Sequence, residues 1–406
     1  GSSCYLDTDY FIDISDYYLD NNRSDDALEV IEMGLRQHPD DDTLKCVRAG
    51  VMIYQHRFSE AEVIVKELDA DKNYDLKYLL GQLAYGKEHD IEKAEKFFHE
   101  WLDDVNMEWN YDAQEDEEDI PSDFDDDPDE NEEYDEDKPE SQLRDSYVHI
   151  IMSYLELADI DHKSVVRKWI EAYVEKFSPL GAYNSDYAIA DIVRDNSLND
   201  LGVKIFSQLL DYDPYIPGGW TLLAAAQYMT GDFEEAINSV DFALAVDPQD
   251  AEAWNIKGNC HYSLRNDNQA LDCFNKFTEL TGSHFTDMQI ACCYTNLNNP
   301  GMAIPYLNNV LNELNQMEGD IDEQRAWKYY EVAQVYFLCD VFDKASETLT
   351  LVEELLKEEP DYHLLKGSIL LASGDFQNAV EHFSFVMSHS SHKLRSEERR
   401  VGKECR

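Results

Sequence analysis

A stretch in the middle of the chain repeats itself at a fixed distance. Residues 217–250 read PGGWTLLAAAQYMTGDFEEAINSVDFALAVDPQD, and residues 251–282 read AEAWNIKGNCHYSLRNDNQALDCFNKFTELTG. Trp220 is matched by Trp254, Ala224 by Gly258, Tyr228 by Tyr262 and Ala236 by Ala270, each 34 residues on. The Trp, the small residue and the aromatic follow one another at steps of four, which puts them on one face of a helix with 3.6 residues per turn. Thr230-Gly231-Asp232 reads as a turn, because Gly takes a positive φ without strain. Pro248 stops the second helix, since Pro disfavours helix in the residue before it. The period therefore predicts two helices per repeat. One such pair cannot bury its own apolar face and must stack on neighbours.

The small residue early in each second helix serves as a ruler. It recurs at Ala27, Ala61, Ala94, Gly202, Ala236, Ala270, Ala303, Ala345 and Ala379, mostly at steps of 33 or 34. Two intervals break it. Ala94 to Gly202 has room for one more helix pair and an insert, while Ala303 to Ala345 is longer by a turn or two of helix. About ten helix pairs are expected.

The pattern resembles the tetratricopeptide repeat family, specifically in the two central repeats and loosely at the edges. The resemblance implies an all-α, right-handed superhelical solenoid, a bacterial-type scaffold that is not an enzyme and binds a protein or peptide in its concave groove. In that family the first helices line the groove. The matching positions here are Tyr187, Asp191 and Arg194; Thr221, Ala225 and Tyr228; Asn255, Asn259 and Tyr262; Met288, Cys292 and Thr295; and Tyr330, Gln334 and Phe337. Of these, Tyr187, Arg194, Tyr228, Asn255, Asn259, Tyr262, Met288, Tyr330, Gln334 and Phe337 form the candidate peptide-binding set. Amide side chains can pair with an extended backbone, and Tyr offers contact area at low entropy cost. Some family members clamp a partner's terminal carboxylate; here Asn259 fits one clamp position, but Asn255 stands where Lys is required and Gln289 replaces the next contact. The rival readings are a self-associating assembly protein and a non-catalytic subunit of an enzyme complex.

Charge narrows the partners. The chain carries 86 acidic and 33 basic residues, a net charge of −53. Phosphate backbones and anionic membrane surfaces call for a positive face, so nucleic acid is disfavoured and a basic protein partner fits. No run of about 18 apolar residues is present to cross a membrane. There is no Gly-rich phosphate loop and no CxxC, so no cofactor or metal is expected. The eight cysteines are scattered; Cys260 and Cys293 fall where the repeat wants a small residue, which makes them small buried hydrophobes. Unpaired thiols point to a reducing, cytoplasmic setting.

Composition also divides the chain. Residues 5–104 hold three units, 105–141 an insert, 142–387 units four to ten, and 388–406 a tail. From Asp112 to Glu140 there are 18 acidic residues and one Lys. Self-repulsion and a shortage of apolar side chains predict disorder there. The opening Gly-Ser-Ser reads as a cloning remnant, and the basic SHSSHKLRSEERRVGKECR at the end as a non-native tail.

The ruler makes a direct prediction. Ala236→Leu or Ala270→Leu should cost about 1–3 kcal/mol or more through overpacking, whereas Glu234→Gln should be near neutral. Equal melting temperatures for the two kinds of variant would mean that the ruler marks exposed positions.

Overall fold

A computed structural model describes residues 6–68, 75–115, 139–157 and 163–389. These residues form 21 helices and no strand. The chain divides into two compact units, Gly1–Pro214 and Tyr215–Arg406. The N-terminal unit holds five helix pairs: α1 (Thr8–Asp20) with α2 (Ser24–Gln37), α3 (Asp42–Tyr54) with α4 (Phe58–Val65), α5 (Asp75–Gly86) with α6 (Ile91–Glu115), α7 (Pro139–Glu156) with α8 (Lys163–Phe177), and α9 (Asn184–Asp195) with α10 (Asn199–Tyr212). The C-terminal unit holds five more: α11 (Gly219–Thr230) with α12 (Phe233–Val246), α13 (Ala251–Ser263) with α14 (Asp267–Thr281), α15 (Asp287–Asn296) with α16 (Pro300–Gln316), α17 (Glu323–Leu338) with α18 (Phe342–Thr350) and the one-turn α19 (Glu353–Leu356), and α20 (Pro360–Ala372) with α21 (376–389). First helices pack side by side: α1 on α3, α3 on α5, α5 on α7 and α7 on α9 in one unit, and α11 on α13, α13 on α15, α15 on α17 and α17 on α20 in the other.

The ruler residues are the contact points between paired helices. Ala27, Ala61, Ala94, Ala236, Ala270, Ala303 and Ala345 are each 0 % exposed. Each second helix that carries the ruler begins three residues before it. Five residues before it stands a residue in the left-handed region: Asn22, His56, His89, Ser197, Gly231, Arg265, Asn298, Asp340 and Gly374. That conformation turns the backbone so that the next amide reaches back to the first helix. Arg57 N donates to the Met52 carbonyl at 2.8 Å, Asn266 N to His261 at 2.8 Å and Asp375 N to Leu370 at 2.9 Å, the six-to-one bond that closes a helix C-terminus.

A second rule sits on the first helix. A small residue there is followed, sixteen positions on, by a larger one in the second helix: Ala49 and Val65, Ala224 and Val240, Gly258 and Phe274, Ala291 and Leu307, Ala333 and Leu349, Gly367 and Phe383. The glycines are required by the rings they face. A Cβ on Gly258 would lie 2.5 Å from the Phe274 ring, and one on Gly367 would lie 2.9 Å from Phe383. Gly81 meets Phe98 in the same way at 2.5 Å. Where the first helix has Ala224, the second has the smaller Val240, and both are fully buried.

The fourth pair is built differently. Val166 occupies the ruler position three residues into α8, and Tyr154 with Ile170 replaces the small-to-large pairing; all three are buried. The bulk is accommodated by an aromatic cluster in which Tyr154 meets Tyr85 at 4.7 Å and Phe98 at 5.5 Å, edge to face. A buried ion pair fastens this pair to α9. Arg144 Nη1 donates to Asp186 Oδ1 at 2.6 Å and Nη2 to the Phe177 carbonyl at 3.2 Å. Asp186 also accepts from the Tyr173 hydroxyl at 2.6 Å and from Gly181 N at 2.8 Å. The guanidinium lies over the Tyr183 ring at 4.2 Å and over Phe177 at 4.6 Å. Its donors and the carboxylate's lone pairs are thus engaged, the condition under which a buried pair is tolerated.

Helix extends into both ends of the acidic stretch. α6 continues to Glu115 and α7 starts at Pro139; residues 105–115 contain neither Gly nor Pro and several good helix formers. The disorder expected over 105–141 therefore fails at both ends, 105–115 and 139–141, which are helical; 116–138 lie outside the described residues, as do 390–406 at the predicted tail. The chain divides compactly after Pro214, not at the acidic stretch. The long interval between Ala303 and Ala345 is taken up mainly by longer helices, 17 residues in α16 and 16 in α17.

The compensating pairs can be tested as a cycle. Gly258→Ala should destabilise by about 1–3 kcal/mol. Adding Phe274→Val rebuilds the Ala224–Val240 arrangement and should recover part of that loss, a coupling of about 0.5–3 kcal/mol in denaturant unfolding. Strictly additive losses would show that the two side chains do not share one space.

Candidate functional site

The candidate residues all lie on first helices, and none of them is fully buried. Tyr187 and Arg194 belong to the N-terminal unit, on α9; the other eight belong to the C-terminal unit, on α11, α13, α15 and α17. The Tyr187 hydroxyl donates to the Gly181 carbonyl at 3.2 Å. Arg194 is exposed and bridges Asp191 at 2.7 Å and Asp195 at 3.0 Å.

In the C-terminal unit the set includes directly touching pairs. Asn255 and Asn259 stand one turn apart on α13, and Asn259 Nδ2 donates to Asn255 Oδ1 at 3.1 Å. That contact uses one donor and one acceptor and leaves the remaining amide capacity for an incoming backbone. Tyr262 follows at the end of α13 and reaches Cys292 on α15; burial and that thiol push its phenol up to about 12. Tyr228 packs on Phe233 at 5.7 Å. Met288 helps to line a cavity of 340 Å³ with Phe285, Val310, Leu314, Met317 and Val332. Tyr330 meets Trp327 edge to face at 5.3 Å and donates to the Asp361 carbonyl at 3.4 Å. Gln334 is exposed, and Phe337 is half-buried against Phe342. Thr221, one of the positions matched to the groove, is buried, and its hydroxyl donates to Asp250 Oδ2 at 2.6 Å. Asp250 in turn caps α13 through Ala253 N. Thr221 therefore serves the helix junction.

Groups with chemical potential are buried or held in their neutral state. Cys46, Cys260 and Cys293 are buried, and burial pushes each thiol up to about 12. A thiolate nucleophile needs the opposite shift. Cys260 and Cys293 fill the small-residue positions of their repeats, and both are 0 % exposed. Among the described residues no group of three or more His, Cys, Asp or Glu side chains could hold a metal ion, and no helix is long and apolar enough to cross a membrane.

Sequence reasoning passed over a cavity in the N-terminal unit. It measures 510 Å³ and lies among α3, α5, α6 and α7, beside the end of α1. Val47, Val51, Leu79 and Val105 form its apolar wall, with the rings of Tyr78 and Trp101 beside them at a centroid distance of 4.6 Å. Asp75, Asp145 and His149 supply ionisable groups to the lining. Burial holds the His149 imidazole below its usual pKa, against the opposing pull of Asp145. The only signals in the sequence were isolated residues on helices read as ordinary repeats.

These features identify the repeat type. The sequence model of the tetratricopeptide repeat matches residues 221–282, the two pairs in which the ruler and the small-to-large rule are clearest. Residues 221–282 are tetratricopeptide repeats. Among solved structures it is similar to MamA 41-end from Desulfovibrio magneticus RS-1, at 22 % identity over 43 % of this chain and 94 % of that one, with a TM-score of 0.38. It is also similar to a tetratricopeptide repeat protein from Parabacteroides merdae ATCC 43184, at 18 % identity over 61 % and 93 % of the two chains, with a TM-score of 0.46. A third is YrrB, described as a TPR protein with an unusual peptide-binding site, at 17 % identity over 48 % and 97 %, with a TM-score of 0.39. No curated protein sequence matches the chain. At these identities the likeness is one of helical repeats and does not extend to a ligand.

His261, beside the candidate amides, gives a pH test of the tetratricopeptide core. It is buried, and its pKa is held below the usual imidazole value, first by burial and then by Lys257, with Asp241 opposing. The unfolded chain therefore takes up the proton first as pH falls. The contribution of neutral His261 is present above about pH 6.5 and is lost below it. The wild type should lose stability relative to His261→Leu between pH 7.5 and 5.5 in urea unfolding. A constant difference would show that His261 titrates normally.

Proposed function

We propose that this protein is a non-catalytic interaction scaffold that holds an extended segment of a partner protein against its first helices. The observation that carries this reading is the state of the eight candidate side chains of the C-terminal unit. They remain at least partly exposed on helices whose other faces are tightly buried. Asn255 and Asn259 supply hydrogen bonds to a backbone, while Tyr228, Tyr262, Met288 and Phe337 supply contact area. The buried, neutral state of the thiols and of His261 supports the absence of catalysis. The acidic surface favours a partner that is basic.

The acidic stretch is assigned to partner choice. Attraction between surface charges reaches about one Debye length, roughly 8 Å at physiological salt. Binding that uses it should weaken steeply with salt, and binding through Tyr and Asn should not. The experiment compares affinities for a partner recovered from native lysate at two salt concentrations. Asn255→Ala/Asn259→Ala/Tyr262→Ala should lower affinity by about tenfold or more, with Glu234→Gln unchanged. Replacing 116–138 by a Gly-Ser linker of equal length should leave the melting temperature nearly unchanged and flatten the salt dependence. If the triple variant binds like the wild type, the first-helix face is not the site. If the linker variant keeps the salt slope, the acidic stretch is an inert insert.

A further inference from the structure

We propose that the 510 Å³ cavity of the N-terminal unit is a second docking site, one that takes large apolar side chains of a partner segment flanked by Lys or Arg. This rests on the interaction-scaffold reading only in expecting a protein partner; it uses none of the ten first-helix candidates. The volume lies in the range of ligand pockets, about 300–1,000 Å³.

Gly50 is the most telling residue in the lining. Gly81, Gly258 and Gly367 are glycines because a ring occupies the place of their Cβ, at 2.5–2.9 Å. A Cβ on Gly50 would meet only Leu79, at 3.7 Å, an ordinary contact. Helix packing therefore does not require a glycine here, and a glycine inside a helix is less favourable than Ala. What its missing side chain does provide is space in the cavity. Trp101, 5 % exposed and also in the lining, carries an indole N–H that is buried with no hydrogen-bond partner among the described residues.

Charge decides the class of occupant. The residues lining the cavity include Asp75 and Asp145 and no Lys or Arg. His149 is biased towards the neutral form. α6 and α7, two of the helices that wall the cavity, are joined by 116–138, in which 15 residues are acidic and one is Lys. A cationic segment is attracted by Asp75 and Asp145, and an anionic one repelled. The same argument excludes that connecting stretch as the occupant. Its Phe124 is flanked by Asp123 and Asp125, and its Tyr134 by Glu133 and Asp135, so it would bring like charges to Asp75 and Asp145.

The test uses the full chain, calorimetry and three blocked peptides: acetyl-Ala-Lys-Leu-Phe-Lys-Ala-amide, the same peptide with Ala-Ala in place of Leu-Phe, and the same peptide with Glu in place of both Lys. The first should bind, and the other two should bind about tenfold more weakly or worse. Gly50→Leu fills the cavity from a position with room for a side chain. It should lose the first peptide by about tenfold or more while its melting temperature stays equal or rises, so lost binding cannot be blamed on unfolding. Asp75→Asn/Asp145→Asn should bring the Lys and Glu peptides to similar affinity. Asn255→Ala/Asn259→Ala should leave this binding unchanged, which separates failure here from failure of the first-helix reading. The proposal is overturned if the first peptide fails to bind at millimolar concentration. It is equally overturned if the Glu peptide binds the wild type as well as the Lys peptide does, or if Gly50→Leu retains wild-type affinity.

Discussion

The architecture depends on how closely two helices of a pair can approach. A ruler residue without bulk lets the second helix lie against the first. The residue sixteen positions apart then settles how the remaining space is divided. Where the first helix gives up its side chain altogether, as at Gly258 and Gly367, a Phe ring fills the gap; where it keeps a methyl group, as at Ala224, Ala291 and Ala333, an aliphatic chain does. The sum is what packing constrains, and interiors at crystal-like density respond to a single methylene. This accounts for a repeat that is regular in geometry while its residues vary.

The turn between paired helices follows from the same demand. The left-handed residue stands five before the ruler in nine pairs, and in seven of these it is not glycine. Asn, Asp and, to a degree, His tolerate that region, but Ser197 and Arg265 enter it at a cost. The geometry is therefore imposed by the cap bond and by the docking of the second helix, and it does not originate in the turn residues. This sets a limit on what could be read beforehand. Gly231 announced its turn in the sequence, whereas nothing about His89 or Arg265 did. The ten pairs were legible because period and small residues report packing directly. The candidate amides were legible as positions on first helices. Three features were not: the Arg144–Asp186 pair, whose partners lie 42 residues apart in different repeats; the extent of α6 and α7 into the acidic stretch, where charge concealed good helix formers; and the N-terminal cavity, which is a property of the space between helices.

Electrostatics adds a constraint that packing leaves open. Many of the Lys and Arg side chains in the described residues are already held by a carboxylate of the same chain, as Lys77 is by Asp104 and Arg57 by Glu60. Exposed pairs of this kind contribute only about 0–1 kcal/mol each. Their larger effect is on the surface field, since they neutralise the few cations and leave the acidic excess unopposed. Such a surface acts on cationic molecules through encounter rates more than through contact energy.

Departures from the packing rules separate structural exceptions from functional ones. The fourth pair breaks the small-to-large rule, and its bulk is packed: the Tyr154 ring has its ring neighbours, and Arg144 has Asp186, a backbone carbonyl and two aromatic faces. That exception is closed, and it stabilises an irregular junction. Gly50 departs in the other direction. It follows Ala49, which already supplies the small contact with Val65, so a second small residue there adds nothing to the helix pair. It opens space beside a buried, unpartnered indole and lies in a lining that also contains two carboxylates. In a repeat fold whose interior is governed by the sum of facing volumes, the unfilled volume beside Gly50 is a departure that helix packing does not require.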